Sequence, residues 1–250
     1  MEIESLSSGY TEPPKPVDTT PSSRLGPPIP GLYFDPSVLL PDELAESLLQ
    51  KCMETYFYEE NVNQVMLFER VMTRDDASLG SSASTGLPPF LRDLLSTLSA
   101  HLHPLLPRDT HKLLFPPAGS PPRARQAIVN FYRPGEGIAP HVDLLERFGD
   151  GIVGVSLGSG CVMRFAPAGG AAGPQHTVFL PHGSVYVMSG EARYGWAHGI
   201  EGRREDWVQA CVGAAEGRWV MRAIRVSVTF RWLLPGADVV GGLPDADAKY

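Results

Sequence analysis

The stretch from Asn130 to Asp143, NFYRPGEGIAPHVD, decides how the rest of this chain is interpreted. It begins as a predicted strand in which Asn130 and Tyr132 alternate with apolar residues, so their side chains share one face. The run RPGEG then ends the strand. His141 and Asp143 follow with one residue between them, and on an extended backbone this spacing points both side chains to the same side.

An imidazole and a carboxylate on one side of the backbone are suitable ligands for a single metal ion. With a second histidine they make the facial triad that holds non-haem Fe(II) and leaves positions for O2 and a co-substrate. His198 is the best third ligand, because it comes just past a predicted strand with enough chain after Asp143 to return to the same place. His182 competes, but it lies in a Pro-His-Gly turn, where a side chain usually faces water. Taken alone, His-x-Asp also fits an ordinary surface loop.

The composition indicates one globular domain in a reducing compartment. The chain has 250 residues, of which 43% are hydrophobic, enough for one sizeable core. Its net charge is −7, so nucleic-acid binding would rest on a local positive patch. Three cysteines without framework spacing favour the cytoplasm, the nucleus or both. The sequence shows no secretory or transit signal and no apolar run of membrane-spanning length.

The chain is predicted to divide into three parts. Residues 1–30 are rich in Pro, Ser and Thr, which predicts a disordered N-terminal arm. Residues 31–232 would form the folded domain, and residues 233–250 a C-terminal tail. Helical periodicity begins at Pro41 and again from Pro89 to His101, and we expect both apolar faces to pack in the core. Between these helices, Asn63 and Gln64 fit either a substrate contact or, preferably, an ordinary loop.

After Arg125 the chain changes to short strands separated by Gly and Pro. Helices followed by many strands predict a mostly β chain with flanking helices (α+β), a β-sandwich or jelly roll with the helices on one side. A tight hairpin turn at Ser159-Gly160 is expected, and a second connection at Pro181-His182. The predicted strands include Gly151–Gly158, Cys161–Phe165, HTVFL, GSVYVMSG and Arg225–Arg231.

The last of these strands, RVSVTFR, alternates strictly. Arg225, Ser227, Thr229 and Arg231 share one face, which by itself also fits an edge strand with a wet face. Beside an iron site, an arginine would bind the distal carboxylate of a dicarboxylate co-substrate, because its guanidinium fork donates two parallel hydrogen bonds. Tyr132 offers a phenolic hydroxyl to the same group.

Taken in this order and spacing, the motifs resemble the AlkB family of Fe(II)/2-oxoglutarate dioxygenases. They are Asn130-x-Tyr132, His141-x-Asp143, His198 within VYVMSGEARYGWAHGI, and RVSVTFR. The resemblance extends from about residue 30 to residue 231 and is strongest from residue 128 onward. It implies a double-stranded β-helix (jelly-roll) core with N-terminal helices packed against it, so residues 31–232 would be the dioxygenase domain.

The resemblance also implies the site residues and the cofactors. Fe(II) would be the metal, with 2-oxoglutarate and O2 as co-substrates. The metal ligands would be His141, Asp143 and His198. Arg225 and Tyr132 would bind the distal carboxylate, with Arg231 near the C1 carboxylate, and Ser227 stands where many members have asparagine. The co-substrate residues would be Asn130, Tyr132, Arg225, Ser227 and Arg231.

The implied reaction is oxidative demethylation or hydroxylation of a base in nucleic acid, either alkylated DNA or RNA or a tRNA. The long segment 199–224 is similar to the branch that includes the tRNA wobble-uridine hydroxylase. The acidic pI of about 5.5 favours the alternative, a protein or small-molecule substrate. A non-catalytic adaptor is disfavoured by the intact motifs. Tyr194, Trp196, Arg203 and Arg204 are the candidate substrate contacts, and packing within the barrel fits Tyr194 and Trp196 equally well.

Two groups of arginines are predicted to form a positive rim around the site for phosphates. The alternative is pairing with the nearby acidic residues Glu201, Glu205, Asp206 and Glu216. The two groups are Arg123, Arg125 and Arg133, and Arg203, Arg204, Arg218 and Arg222.

Overall fold

The computed structural model describes residues 20–69, 86–121, 123–170 and 172–237. In these ranges two antiparallel β-sheets pack face to face, and helices cover the outer face of the larger sheet. This is the jelly-roll arrangement with flanking helices that the strand pattern predicts.

The helices are short and the strands are numerous. The longest described helix has 15 residues. No helix in the described ranges has the length and apolar character needed to cross a membrane. The helices are α1 (Asp42–Tyr56), α2 (Pro89–Leu102), α3 (Arg108–Leu114) and α4 (Glu191–Tyr194). The strands are β1 (Leu32–Leu39), β2 (Gln64–Glu69), β3 (Arg125–Tyr132), β4 (Ile138–His141), β5 (Phe148–Gly158), β6 (Cys161–Pro167), β7 (His176–Leu180), β8 (Ser184–Met188), β9 (Trp196–Ile200), β10 (Glu205–Gln209), β11 (Gly217–Met221) and β12 (Arg225–Leu233).

The strand order places the two groups of predicted site residues on sheets that face each other. The larger sheet has the order β1-β8-β5-β12-β3-β2, and the smaller sheet has the order β4-β9-β6-β7. β10 and β11 form a separate hairpin within the long segment 199–224, with the rings of Trp207 and Trp219 5.2 Å apart. The His-x-Asp strand therefore lies in the smaller sheet, while the arginine strand β12 lies in the larger one.

The two faces of the larger sheet have different partners. Val226, Val228 and Phe230 of β12 are buried against the helices, while the alternate residues of the strand face the smaller sheet. The apolar stripe of α2 is buried along its whole length, as its periodicity predicts. The strict alternation of RVSVTFR thus separates a helix-facing core from a cavity-facing row.

The predicted hairpin at Ser159-Gly160 and the predicted connection at Pro181-His182 each join strands of different sheets. β5 and β6 flank Ser159-Gly160, but β5 pairs with β8 and β12, and β6 pairs with β7 and β9. Pro181-His182 likewise carries the chain from the smaller sheet to the larger one. The local sequence specifies a turn, but the strands after each turn bury their apolar faces against the opposite sheet.

The predicted N-terminal arm reaches the fold earlier than residue 31. The Ser22 backbone N–H donates to Trp207 O (2.9 Å), and the Phe179 N–H donates to Ser23 O (2.8 Å). Ile29 is buried between the sheets. These main-chain hydrogen bonds fix residues 20–30 despite their composition, whereas residues 1–19 lie outside the described ranges. At the other end, Leu233, assigned to the tail, is the buried last residue of β12.

Candidate metal and co-substrate site

A cavity of about 360 Å³ opens between the two sheets. The smaller sheet and the loop that follows β4 contribute the candidate metal ligands. The larger sheet contributes the candidate co-substrate residues. All of them line this one cavity: His141, Asp143, His198, Asn130, Tyr132, Arg225, Ser227 and Arg231.

The two histidines lie directly opposite each other in neighbouring strands. His141 of β4 pairs with His198 of β9, and their ring centroids are 4.5 Å apart. The sequence interpretation placed His198 just past a strand, but it is the middle residue of β9 and only 8% exposed. Cross-strand pairing with β4 is the reason, and that pairing is not visible in the local sequence.

Each imidazole presents a ring nitrogen that could bind a metal ion. Burial, and then the charge of His141, lowers the pKa of His198 to about 3, so this ring stays unprotonated at neutral pH. His198 Nδ1 is buried without a hydrogen-bond partner. His141 Nδ1 donates to Ala139 O at 2.9 Å, which leaves its Nε2 with a free lone pair. Neutral imidazole is the form that binds a metal ion.

Asp143 completes a nitrogen, nitrogen, oxygen donor set, but its carboxylate is already bound. The side chain is buried, and Oδ1 accepts a hydrogen bond from Arg231 Nη1. Within the described ranges, no three His, Cys, Asp or Glu side chains are grouped closely enough to hold a metal ion. The donor types fit Fe(II), and metal binding would require the carboxylate to share or leave Arg231.

Arg225 is a buried cation without an anionic partner. Its side chain is 4% exposed, and Nε donates to Ser156 Oγ at 2.9 Å. The guanidinium lies over the Tyr132 ring at 5.1 Å, and Nη1 is buried with no hydrogen-bond partner. No carboxylate in the described ranges forms an ion pair with it. Because an unpaired buried charge is costly, this end of the cavity favours binding of an anion.

Arg231 lies at the Asp143 side of the same row. Its Nε donates to Gln126 Oε1 at 2.8 Å, and its guanidinium stacks 3.8 Å from the Phe148 ring. Burial lowers the pKa of Arg231 to about 10, which still leaves it charged at neutral pH. Arg225 is therefore the unpaired positive end of the cavity within the described ranges, whereas the charge of Arg231 is already paired with Asp143.

Sequence reasoning missed Tyr186 of β8, a buried residue of the cavity wall. Burial raises the pKa of Tyr186 to about 12, so its hydroxyl stays protonated. Gly154 makes room for it, because a Cβ at residue 154 would lie 2.2 Å from the Tyr186 ring. The alternation of GSVYVMSG in the sequence indicates a strand at Tyr186. Strand pairing was needed to show which face of that strand meets the cavity.

The two aromatic candidates for substrate contact lie outside the cavity lining. Tyr194 is partly exposed beside the guanidinium of Arg193. Trp196 packs against His176 at 5.5 Å and donates from Nε1 to Glu191 at 3.2 Å. Closeness in sequence to His198 did not predict their position, because α4 and the start of β9 turn these rings away.

β2 and the loop after Asp143 supply apolar side chains to the cavity mouth. Met66 is 51% exposed and Leu144 is 53% exposed, and both line the cavity. Gln64, for which a plain loop was preferred, belongs to β2, lines the same cavity and donates from Nε2 to Asn130 Oδ1 at 2.7 Å. Asn63 lines an adjoining groove.

Part of the predicted positive rim is neutralised, because Asp206 engages two of its arginines. Asp206 is fully buried and accepts from Arg203 Nε at 2.7 Å and from Arg222 Nε at 2.6 Å. It also accepts from the Val162 N–H at 3.0 Å, which ties the hairpin β10–β11 to β6. Pairing with acidic residues, the alternative interpretation, is therefore correct for Arg203 and Arg222.

Other members of the predicted rim are also engaged. Arg125 is buried, stacks on Trp232 at 3.9 Å and donates to Leu114 O at 2.8 Å. Arg133 pairs with Glu136. Arg204 differs: it is exposed, its stem lies over Gly135, and no carboxylate of the described ranges pairs with it. Among the predicted substrate residues, Arg204 is thus available to a phosphate.

Most of the chain matches a known family of oxygenases. Residues 39–231 match the family model of the 2OG-Fe(II) oxygenase superfamily. The tRNA (carboxymethyluridine(34)-5-O)-methyltransferase alkbh8 of Xenopus tropicalis is 41% identical over 115 residues, 42% of this chain and 18% of that protein.

Two further relatives are similar over comparable lengths. The uncharacterized protein L905 of Acanthamoeba polyphaga mimivirus is 38% identical over 106 residues, 42% of this chain and 47% of that protein. The N6-methyladenosine RNA demethylase ALKBH of Cryphonectria parasitica is 33% identical over 111 residues, 39% of this chain and 47% of that protein. The matches thus span less than half of each of these relatives. Because the family model covers most of the chain and the relatives include ALKBH proteins, this chain belongs to the 2OG-Fe(II) oxygenase superfamily as an AlkB-like member.

Proposed function

We propose that this chain uses Fe(II) and 2-oxoglutarate to demethylate or hydroxylate a base in nucleic acid. The observation that carries the proposal is Arg225, a buried guanidinium without an anionic partner in the cavity that also contains both candidate histidine ligands. A dicarboxylate fits this arrangement, with one carboxylate on Arg225 and the other near the metal ligands.

The metal would be held by His141, Asp143 and His198. His141 offers Nε2, since its Nδ1 donates to Ala139 O, and His198 remains neutral because it is buried. Arg231 donates to the Asp143 carboxylate in the cavity wall, and a bound metal ion would have to share that carboxylate with it. When bound, iron and 2-oxoglutarate supply oxidation of a substrate C–H bond by O2, with release of succinate and CO2.

The co-substrate would lie along the face of β12 and β3. Arg225 binds its distal carboxylate, with Tyr132 beside the guanidinium, and Ser156 holds Arg225 in place through Nε. Ser227 and Asn130 line the span toward Arg231, so the chain between the carboxylates meets neutral polar groups. Arg225 would bind one carboxylate and the metal the other, which favours a dicarboxylate over a monocarboxylate.

A nucleic-acid base is the proposed substrate for two reasons. Two of the relatives named above carry tRNA or RNA in their names. The cavity mouth presents the exposed apolar surfaces of Met66 and Leu144, against which a base extruded from its stack can pack. Arg204, which has no acidic partner in the described ranges, would contact a neighbouring phosphate.

The test is release of succinate by anaerobically iron-loaded protein in the presence of different substrates. The panel contains methylated single-stranded DNA, methylated RNA, total tRNA and peptides, each with an unmethylated control of the same sequence or composition. Succinate release that nucleic acid stimulates and peptides do not supports the proposal. Stimulation by peptides alone would replace it with a protein hydroxylase, and succinate release that requires neither iron nor 2-oxoglutarate would overturn it.

A further inference from the structure

Arg193 is the largest fully buried side chain of the described ranges, and no part of the proposed chemistry uses it. It is 1% exposed and does not line the cavity. It belongs to α4, between β8 and β9, and precedes His198 by five residues. A charged side chain in this place requires a reason, because burying a guanidinium is costly unless its donors are satisfied.

The donors of Arg193 are satisfied by main-chain oxygens. Nη1 donates to Asp143 O at 3.1 Å, and Nη2 donates to Phe148 O at 3.1 Å. Two longer contacts of 3.4 Å join Nη2 to Leu144 O and Nε to Gly149 O. The guanidinium forms no ion pair within the described ranges. Its partners are therefore the backbone of one segment, residues 143–149.

This segment needs an external support. It carries Asp143 and then turns, with the Phe148 N–H donating to Leu144 O at 3.0 Å, before β5 begins at Phe148. Between the end of β4 at His141 and the start of β5 the segment belongs to no sheet, and from the end of β12 the Leu234 N–H donates to Arg147 O at 2.9 Å. The Asp143 side chain lines the cavity while its carbonyl oxygen is bound by Arg193, so the guanidinium fixes the backbone on which the carboxylate sits.

We infer that Arg193 is a positioning residue that ties the Asp143 segment to the strand carrying His198 and so keeps the metal ligands together. The inference rests on the proposed function. The guanidinium donates from three separate nitrogens to carbonyl oxygens spread over residues 143–149, whereas the donors of a lysine ammonium all lie on one nitrogen and cannot cover the same spread. Arg193→Lys should therefore loosen residues 143–149, and weaken metal binding, while retaining the positive charge.

The matched control is Arg125→Lys. Arg125 is also a buried arginine that donates to a backbone carbonyl, Leu114 O, and it stacks on Trp232 on the helix side of the larger sheet. Its loss should lower stability without moving the Asp143 segment. A change shared by both variants reports general destabilisation, and a change confined to Arg193→Lys reports positioning.

The experiment measures Co(II) affinity by calorimetry and amide hydrogen exchange of residues 144–149, well below each variant's unfolding temperature. For Arg193→Lys we expect a Co(II) dissociation constant raised by about tenfold or more, as for other residues that orient metal ligands, and faster exchange in the segment. For Arg125→Lys we expect the wild-type affinity and wild-type exchange in the segment.

The outcomes separate this inference from the proposed function. Wild-type Co(II) affinity or wild-type exchange in Arg193→Lys overturns the inference and leaves the proposed function standing. Absence of Co(II) binding by the wild type overturns the proposed function, while the exchange comparison still decides whether Arg193 holds the segment. If Arg193→Lys does not fold, Arg193→Gln takes its place: faster exchange in residues 144–149 with weaker Co(II) binding supports the inference, and wild-type values overturn it.

Discussion

At the scale of single residues, Arg225 makes the sharpest prediction. Arg225→Ala should raise the apparent 2-oxoglutarate constant about thirty-fold or more, because losing a buried charge-assisted pair costs roughly 2–5 kcal/mol. Arg225→Lys should recover only part of the affinity, since an ammonium cannot reproduce the fork. Titration of succinate formation against 2-oxoglutarate gives the constants. Equal constants for wild type and Arg225→Ala would show that the distal carboxylate binds elsewhere.

The choice between two histidines is also a single-residue question. His198→Ala should abolish turnover and sharply weaken metal binding, because His198 lines the cavity opposite His141. His182→Ala should keep both, since His182 Nδ1 accepts from the Gly158 N–H at 2.7 Å outside the cavity. Calorimetric titration with Co(II) compares the two variants. Loss of metal binding in His182→Ala with retention in His198→Ala would reverse the assignment.

At the scale of an element, β5 is the strand that shapes the co-substrate cavity. Gly154→Ala would place a Cβ 2.2 Å from the Tyr186 ring, so the buried ring must move. Overpacking of this kind costs about 1–3 kcal/mol, and we expect that loss in the free energy of unfolding together with weaker 2-oxoglutarate binding.

The same strand offers the control for this prediction. Gly149→Ala would meet its nearest atoms at 3.6 and 3.7 Å, an ordinary contact distance, so its stability should stay close to wild type. Denaturant unfolding of both variants under identical conditions measures the difference. A Gly154→Ala protein as stable as Gly149→Ala would mean that Tyr186 does not need the space.

At the scale of the whole molecule, an acidic chain must bind nucleic acid through a few local charges. If Arg204 contacts a phosphate, Arg204→Ala should weaken binding of single-stranded oligonucleotides and reduce the salt slope by about 0.7. Arg92→Ala is the control, because Arg92 is exposed on α2, on the helix-covered side of the larger sheet. Binding measured at several salt concentrations gives the slopes.

The result that would contradict this prediction is equally direct. Salt-independent binding, or no binding at low salt, would favour a protein or small-molecule substrate. Arg203 is left unchanged in this experiment, because it pairs with the buried Asp206, and its removal would disturb the hairpin β10–β11.

The sequence by itself determined which residues share a face and which chemistry they offer. Period-two alternation in RVSVTFR placed Arg225 and Arg231 on the cavity side, and the leucine periodicity of α2 placed its stripe in the core. The i,i+2 spacing brought His141 and Asp143 to one cavity. These inferences succeed because the side-chain directions of strands and helices follow from local backbone geometry.

Only the tertiary structure decided which strands meet and which charges are already neutralised. At Ser159-Gly160, where a hairpin was expected, the chain crosses from the larger sheet to the smaller one. Pairing with β4 places His198 inside β9. The fold buries Asp206 and pairs it with Arg203 and Arg222. It also buries Arg193, whose guanidinium donates to carbonyl oxygens of residues 143–149. Such contacts join residues far apart in the chain, so their energies depend on desolvation and pairing that no local pattern encodes.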